Sequence, residues 1–464
     1  AITSIITLIE GIYKSSGLIF NCKDDNLLLS LPISKSVVVF IRILKFYIFE
    51  LLYNSLFLLP AIVLYGIYMK PDILYYIVSI VGILLFPIIP IMISCILGSI
   101  LVFISSKFKY KNVVQTIITF IFLLFVLYFS YNAESIISNF SENAENINNI
   151  ITAVCYPAKA YVELILDFNI LKFLHFIIVH IIALLISIFL IGRVYFKINS
   201  NSKSIKKTSV NKNYVIKKSK PIWALIKKEF NRFINSPVFV TNAGFGLILF
   251  LIGSIFIFAK YDETVENIAL SYPTLSIDLI KNNISIIIFG LISICSFTTS
   301  ITSSMISLEG THINILKSLP IKSTTVIWSK VLAAFLIMIP FFLIGDLLFF
   351  IKFDIDIIGV LLIILASILF PLISETIGIL VNLKYPKMNA NNDTEVVKQS
   401  ISSAISVFVG MILAGTTVYF LISELENGVE SNIILGKIMV FFGILYLILL
   451  KILHKTASRS FKRL

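Results

Sequence analysis

Few residues in this chain have the type and spacing to do chemistry, and those few point away from catalysis. The histidines are His175, His180, His312 and His454. His175 and His180 share one apolar stretch, five apart, which misses the i, i+4 spacing that puts two imidazoles on one helix face around a metal. They read as structural. Cys22, Cys95, Cys155 and Cys295 lie far apart without a C-x-x-C pair, so neither a zinc site nor a disulfide framework is indicated. The sequence holds no G-x-x-x-x-G-K-[ST] phosphate loop, no H-E-x-x-H and no G-x-S-x-G. It has no recognisable ATP site or hydrolytic constellation of its own.

A charge inside hydrocarbon costs roughly 3 kcal/mol or more, so an ionisable residue in an apolar stretch is kept for a partner or a pathway. Glu10, Glu50, Asp346 and Glu375 are such residues, with Arg42 and Lys45 nearer one end of theirs. Glu50 and Glu375 are the candidate pathway residues, and a structural role explains each equally well. Asp346 lies near the end of its stretch, where it is expected to face water. Arg42 and Lys330 are expected to snorkel, apolar stem inward and charge outward.

The stretches that hold these residues dominate the chain. Of 464 residues 58% are hydrophobic and 14% charged, and mean hydropathy is +0.99; a soluble chain is roughly half apolar and a quarter charged. That excludes a water-soluble globule, a disordered chain, collagen and a disulfide scaffold. A spanning helix takes roughly 20 apolar residues. The apolar runs give ten full candidates: Val37–Tyr65, Ile73–Ile104, Val113–Tyr131, Ile170–Ile191, Asn242–Ala259, Ile284–Ile306, Val326–Phe350, Ile357–Val381, Ile401–Ile422 and Ile433–Leu453. Ala1–Tyr13 is a partial one. The fold class is therefore an all-α polytopic membrane protein. Pro60, Pro87, Pro90, Pro340 and Pro371 fall inside these runs and fit kinked spans.

Charge sets the orientation. The net charge of +13 would hint at nucleic acid in a soluble protein, but here it sorts into loops. Arg193–Arg232 carries twelve Lys and Arg against Glu229 alone. Lys107, Lys109 and Lys111 make a second basic loop, and Lys451, Lys455, Arg459, Lys462 and Arg463 a basic tail. The intervening loops are acidic, with Glu134, Glu142 and Glu145, then Asp262, Glu263 and Glu266, then Glu424, Glu426 and Glu430. The alternation places the basic set and the C-terminus in the cytosol. Between Ser135 and Asn169 an apolar but broken outer segment reads as a hairpin.

A motif recurs. Asn26–Lys35 (NLLLSLPISK) resembles Asn314–Ser323 (NILKSLPIKS), with Pro32 and Pro320 separated by 288 residues. The same offset carries later spans onto earlier ones and Arg42 onto Lys330. The chain therefore reads as two tandem six-helix repeats in parallel orientation, the first N-terminally truncated. Residues 1–192 form the first repeat, 193–220 a basic linker, and 221–464 the second. The repeat implies further native sequence upstream. Two motifs face the basic side. The loops Ser30-Leu31-Pro32-Ile33 with Lys35, and Ser318-Leu319-Pro320-Ile321 with Lys322, are matched and proline-stopped; ordinary helix connections would also explain them. Pro221–Asn235 is a short amphipathic helix with Pro221 in its first turn. Trp223, Ile226, Phe230, Phe233 and Ile234 share one face and Lys227, Lys228 and Arg232 lie elsewhere, as in a helix resting in the headgroup layer with its aromatics down and its cations toward phosphate.

These residues together resemble the permease subunit of type-2 ATP-binding-cassette exporters, in the long two-repeat form of low-GC Gram-positive bacteria. The resemblance rests on Asp25–Ser34, on Glu309-Gly310 through Ile321, on Leu225–Phe230, and on Tyr385–Asn389 followed by Glu395–Ser400. It implies a bacterial cell-membrane exporter subunit that is not itself an enzyme. A separate cytosolic ATPase, in two copies, would carry Mg-ATP and dock on the two Leu-Pro-Ile loops. The Pro221–Asn235 segment would be a connecting helix, and no cofactor would sit in this chain. Pairing of two such chains remains open. The alternative is a secondary transporter driven by an ion gradient, with Glu50 and Glu375 as proton or cation sites.

Overall fold

The computed structural model describes residues 2–15, 31–105, 112–121, 168–204, 220–271 and 283–463, together with Ile19, Leu28, Phe108 and residues 159–161 and 163–164. Among the described residues every regular element is helical. The chain divides into two compact units, Ala1–Asn213 and Tyr214–Leu464.

In the first unit the helices are α1 (Ile2–Ser15), α2 (Lys35–Met69), α3 (Ile73–Leu85), α4 (Ile88–Ser105) and α5 (Ile170–Ser204). Val39, Ile43 and Phe46 of α2, Ile91 and Cys95 of α4, and Ile191 and Tyr195 of α5 form its main core. Asn54 of α2 donates to Thr7 of α1 at 2.9 Å. The apolar run from Ile73 is cut in two at Phe86–Pro87, because proline lacks the N–H that would continue the ladder. Pro60 sits within the unbroken α2.

The second unit holds α6 (Pro221–Ile234), α7 (Pro237–Ala243), α8 (Phe245–Ser271), α9 (Ile284–Thr298), α10 (Thr302–Met305), a 3-10 turn at Ser307–His312, α11 (Ile313–Ser318), α12 (Ser323–Lys352), α13 (Ile357–Lys384), α14 (Asp393–Val397), α15 (Ile401–Glu426) and α16 (Ser431–Arg463). Helix α13 packs on α9, α10, α12, α15 and α16. Its Phe370 meets Phe289, Phe297 and Phe442 at ring distances of 5.2, 5.1 and 5.0 Å. The exterior is apolar too: Leu343, Ile344, Leu347 and Ile351 of α12 are exposed, while Ser293, Ser329 and Ser367 are buried. Small hydroxyl residues inside and large apolar ones outside suit helices surrounded by lipid.

Eight of the described helices are long and apolar enough to cross a membrane, or nine if the bent pair α7/α8 is one span. These nine correspond to nine of the ten runs read from sequence. The tenth, Val113–Tyr131, is described only as the helix Asn112–Ile121, and the hairpin expected at 135–169 lies largely outside the described residues.

Two further spans differ from their apolar runs. The run starting at Asn242 begins earlier, at Pro237, and bends by 59° between α7 and α8. The bend falls at Gly244, where a Cβ would meet the Val240 carbonyl oxygen at 2.6 Å. The run Ile284–Ile306 is broken, since α9 stops at Thr298 and regular helix resumes only at Thr302.

Candidate functional site

Among the described residues of the second unit, the densest set of charges joins the amphipathic helix to the segment leading into the Leu-Pro-Ile loop. Glu229 of α6, Glu309 of the 3-10 turn and Lys330 of α12 are all buried. The Lys330 Nζ donates to Glu229 Oε1 at 2.6 Å, to Glu309 Oε1 at 2.7 Å and to the Met305 carbonyl at 3.2 Å. Lys228 reaches Glu309 at 2.6 Å, and Arg232 reaches Glu309 at 2.9 Å and Glu229 at 3.4 Å. Three cations thus share two carboxylates. Burial, then the neighbouring Lys330, holds the Lys228 ammonium below the usual lysine range. Burial also opposes the Arg232 charge, but its bond to Glu309 and the pull of Glu229, Glu309 and Asp393 raise it overall.

The structure corrects three expectations about cations. Lys330 does not snorkel: it is 1% exposed and ends on two carboxylates. Nor does Arg42, which donates to the Ile19 carbonyl and, at 2.7 Å, to the Tyr195 hydroxyl. On α6, Lys228 and Arg232 turn to Glu309 rather than outward. The apolar face read from sequence is split: Ile226 and Phe233 are buried with Leu225 and Glu229, while Trp223, Lys227 and Phe230 are exposed. A helical wheel groups residues by angle alone, and the protein takes the side bearing Leu225, Ile226, Glu229 and Phe233.

The two loops have the same local form where they are described. Ile33 N–H donates to the Leu31 carbonyl at 2.8 Å, and Ile321 N–H to the Leu319 carbonyl at 2.7 Å. Each is a three-residue turn with proline at its centre. A helix follows each turn after a single extended residue, at Lys35 and at Ser323. Leu31, Pro32 and Ile33 are exposed, as are Ser318, Leu319, Pro320 and Lys322, while Ile321 is partly buried against the cluster of Ile313, Leu316 and Ile327. Ser30 and the Lys35 side chain lie outside the described residues.

Gly310, next to Glu309, adopts φ +53°, a conformation natural to glycine. The loop after α13 closes over that turn: Lys387 N–H donates to Ser307 Oγ at 2.9 Å. Asn392 caps α14 through the Glu395 N–H at 2.9 Å, and Glu395 accepts from the Asn391 N–H at 3.2 Å, a variant of the capping box.

The intramembrane acids have internal partners. Both Glu375 oxygens accept backbone N–H groups, from Ile301 at 2.9 Å and Thr302 at 2.7 Å, and Ser374 donates to the Thr299 carbonyl at 2.6 Å. Asn382 accepts from Ile306 N–H at 2.8 Å. Side chains of α13 therefore satisfy the backbone groups freed where α9 breaks. Glu50 pairs with Lys14 at 2.6 Å, and its second oxygen is buried without a hydrogen-bond partner. Asp346 does not face water: it is 1% exposed and accepts from Ser367 at 2.7 Å. The Glu10 side chain lies outside the described residues. Among the described residues no group of three or more His, Cys, Asp or Glu could hold a metal.

Sequence reasoning missed Glu229, Glu309 and Lys330 as one network. The available signal was Glu229, the lone acid in a run of twelve cations.

Residues 6–455 match the family described as a membrane protein of 12 TMs. No curated protein and no solved structure matches the chain.

Proposed function

The chain belongs to the family of membrane proteins of 12 transmembrane segments, and from that premise we propose that it is the permease of an exporter powered by a separate cytosolic ATPase of the ATP-binding-cassette type. One observation carries the reading: the buried network of Glu229, Glu309 and Lys330 ties α6 to the 3-10 turn and α12, the elements that precede and follow the Leu319-Pro320-Ile321 turn in the chain. A push on that turn would be felt by a helix long enough to span the bilayer. The ATPase, with Mg-ATP bound in its own subunit, docks on Leu31–Ile33 and Leu319–Ile321, and α6 is the connecting helix. Two alike turns fit two ATPase copies on one chain, arranged as two parallel repeats. Basic loops and C-terminus face the cytosol of a bacterial cell. Coupling requires the ATPase to bind two permease states with different affinity.

Charge reversal at both loops, Lys35→Glu with Lys322→Glu, is expected to cut co-purification of an ATP-binding-cassette ATPase co-expressed with this chain several-fold. Export should stop on ATP depletion and survive collapse of the proton gradient. Unchanged co-purification, or export that dies only with the gradient, overturns the proposal. The second outcome belongs to an ion-driven transporter. The unpartnered second oxygen of buried Glu50 favours that reading, whereas Glu375 has both oxygens engaged.

A further inference from the structure

Helix α16 changes character along one side. It exposes Val440, Ile444 and Ile448 at four-residue steps, as a helix does toward lipid. The same side continues as Lys451, Lys455 and Arg459, with Arg463 one step on, all exposed, since residues three and four apart are neighbours on a helix. The other side of this end, Leu453, Ala457 and Phe461, is buried in one cluster with Val326 of α12 and Leu383 of α13. That packing fixes the rotation of the helix and hence the direction of the cations.

The helix itself does not balance this row. No Asp or Glu follows Glu430 in the sequence, and among the described residues none of the four cations is in an ion pair. Lys437, on the same side nearer the start of α16, does pair, with Glu424. Like charges at i, i+4 repel. The helix dipole favours cations only in the last turn, and Lys451 and Lys455 stand before that turn. The row is complementary to an anion that α16 does not supply.

Length decides which anion. About 20 residues cross the hydrocarbon, and counted from Ser431 they end at Leu450. At about 1.5 Å per residue Lys451 lies at the hydrocarbon edge and Lys455 about 6 Å further, within a headgroup layer of roughly 5–8 Å, whereas Arg459 and Arg463 stand beyond it. We propose that Lys451 and Lys455 hold the phosphate of an anionic phospholipid, in the leaflet that the end of α16 reaches, with an acyl chain along Ile444 and Ile448. A phosphatidylcholine head carries its own cation, which competes with the lysines for the phosphate; a phosphatidylglycerol head carries none. The inference goes beyond the transport reading and needs neither cargo nor ATPase.

The test reads lipid contact at one place on the full chain, reconstituted in phospholipid vesicles. Ile452 is 43% exposed beside Lys451, and Ile433 is 51% exposed near the other end of the helix. With Trp223 and Trp328, the two tryptophans of the chain, replaced by phenylalanine, Ile452→Trp or Ile433→Trp is quenched by whichever brominated-chain lipid touches it. Brominated phosphatidylglycerol is expected to associate at Ile452→Trp at least threefold more strongly than brominated phosphatidylcholine, and at Ile433→Trp no more strongly. Lys451→Gln with Lys455→Gln removes the preference, and Lys451→Arg with Lys455→Arg keeps it. Arg459→Gln with Arg463→Gln leaves it unchanged. Elution volume and circular dichroism confirm that each variant is folded. Equal association of the two lipids at Ile452→Trp, or a preference surviving Lys451→Gln with Lys455→Gln, overturns the site. An equal preference at Ile433→Trp overturns its location. Loss of preference with Arg459→Gln and Arg463→Gln alone overturns it as well, because those positions face a partner standing off the membrane. The vesicles hold no ATPase and no ATP, so failure here leaves the exporter proposal standing, and gradient-driven export would leave the lipid site standing.

Discussion

At Lys330 the sequence shows one cation in an apolar run, and the structure shows why it is tolerated. Its ammonium sits between Glu229 and Glu309, and Lys228 and Arg232 share those carboxylates. The site carries one net positive charge, so its two kinds of residue are not equivalent. Lys330→Met leaves two carboxylates with two cations and a side chain of similar reach. Glu309→Gln leaves three cations around Glu229. Stranding a buried charge costs about 3–5 kcal/mol. Glu309→Gln is therefore expected near that figure and Lys330→Met well below it, under about 2 kcal/mol. The double variant should recover part of the loss, because removing the cation relieves the surplus. Denaturant unfolding in detergent micelles checks the order; equal losses, or strictly additive ones, would show that the charges act independently.

Helices were legible where they are long and uniformly apolar, and the interruption at Phe86–Pro87 was marked by its proline; the break after α9 was not. The break after Thr298 is held by Ser374 and Glu375, more than seventy residues further along. No local pattern reports a backbone satisfied from that distance, so the run Ile284–Ile306 read as one span, and Glu375 read as a pathway residue or a structural one equally well. Close approaches of helices are equally silent, although glycine marks them in retrospect. At Gly410 of α15 a Cβ would come 1.8 Å from the Phe297 carbonyl oxygen of α9, whereas at Gly415 nothing lies within 4 Å. Gly410→Ala must push α15 off α9 and is expected to cost about 1–3 kcal/mol. Gly415→Ala on the same helix should be neutral, or stabilising by up to about 1 kcal/mol, through helix propensity alone. Thermal melts of the two variants decide; a matching response would mean that the contact between α9 and α15 is looser than its backbone geometry.

For the whole molecule, composition excluded a soluble fold, and the spans followed from stretches of roughly 20 apolar residues. Sidedness rests on charge alone, because the helices do not record which end meets the cytosol. The second unit makes that sidedness testable by counting. Lys322 is exposed just before α12, and Glu426 is exposed at the end of α15. Three spans, α12, α13 and α15, separate them, so an odd number of crossings puts the two positions on opposite sides. The basic-inside bias assigns Lys322 to the cytosol. Cys95 and Cys295 are buried, so with Cys22 and Cys155 replaced by serine a new cysteine reports its own position. Glu426→Cys in intact cells should react with a membrane-impermeant maleimide, and Lys322→Cys only after permeabilisation. Reaction of both from outside would break the three-span count. The reverse pattern would keep the count but turn Leu319-Pro320-Ile321 away from the cytosol, leaving no place for an ATPase to dock and removing the basis of the exporter reading.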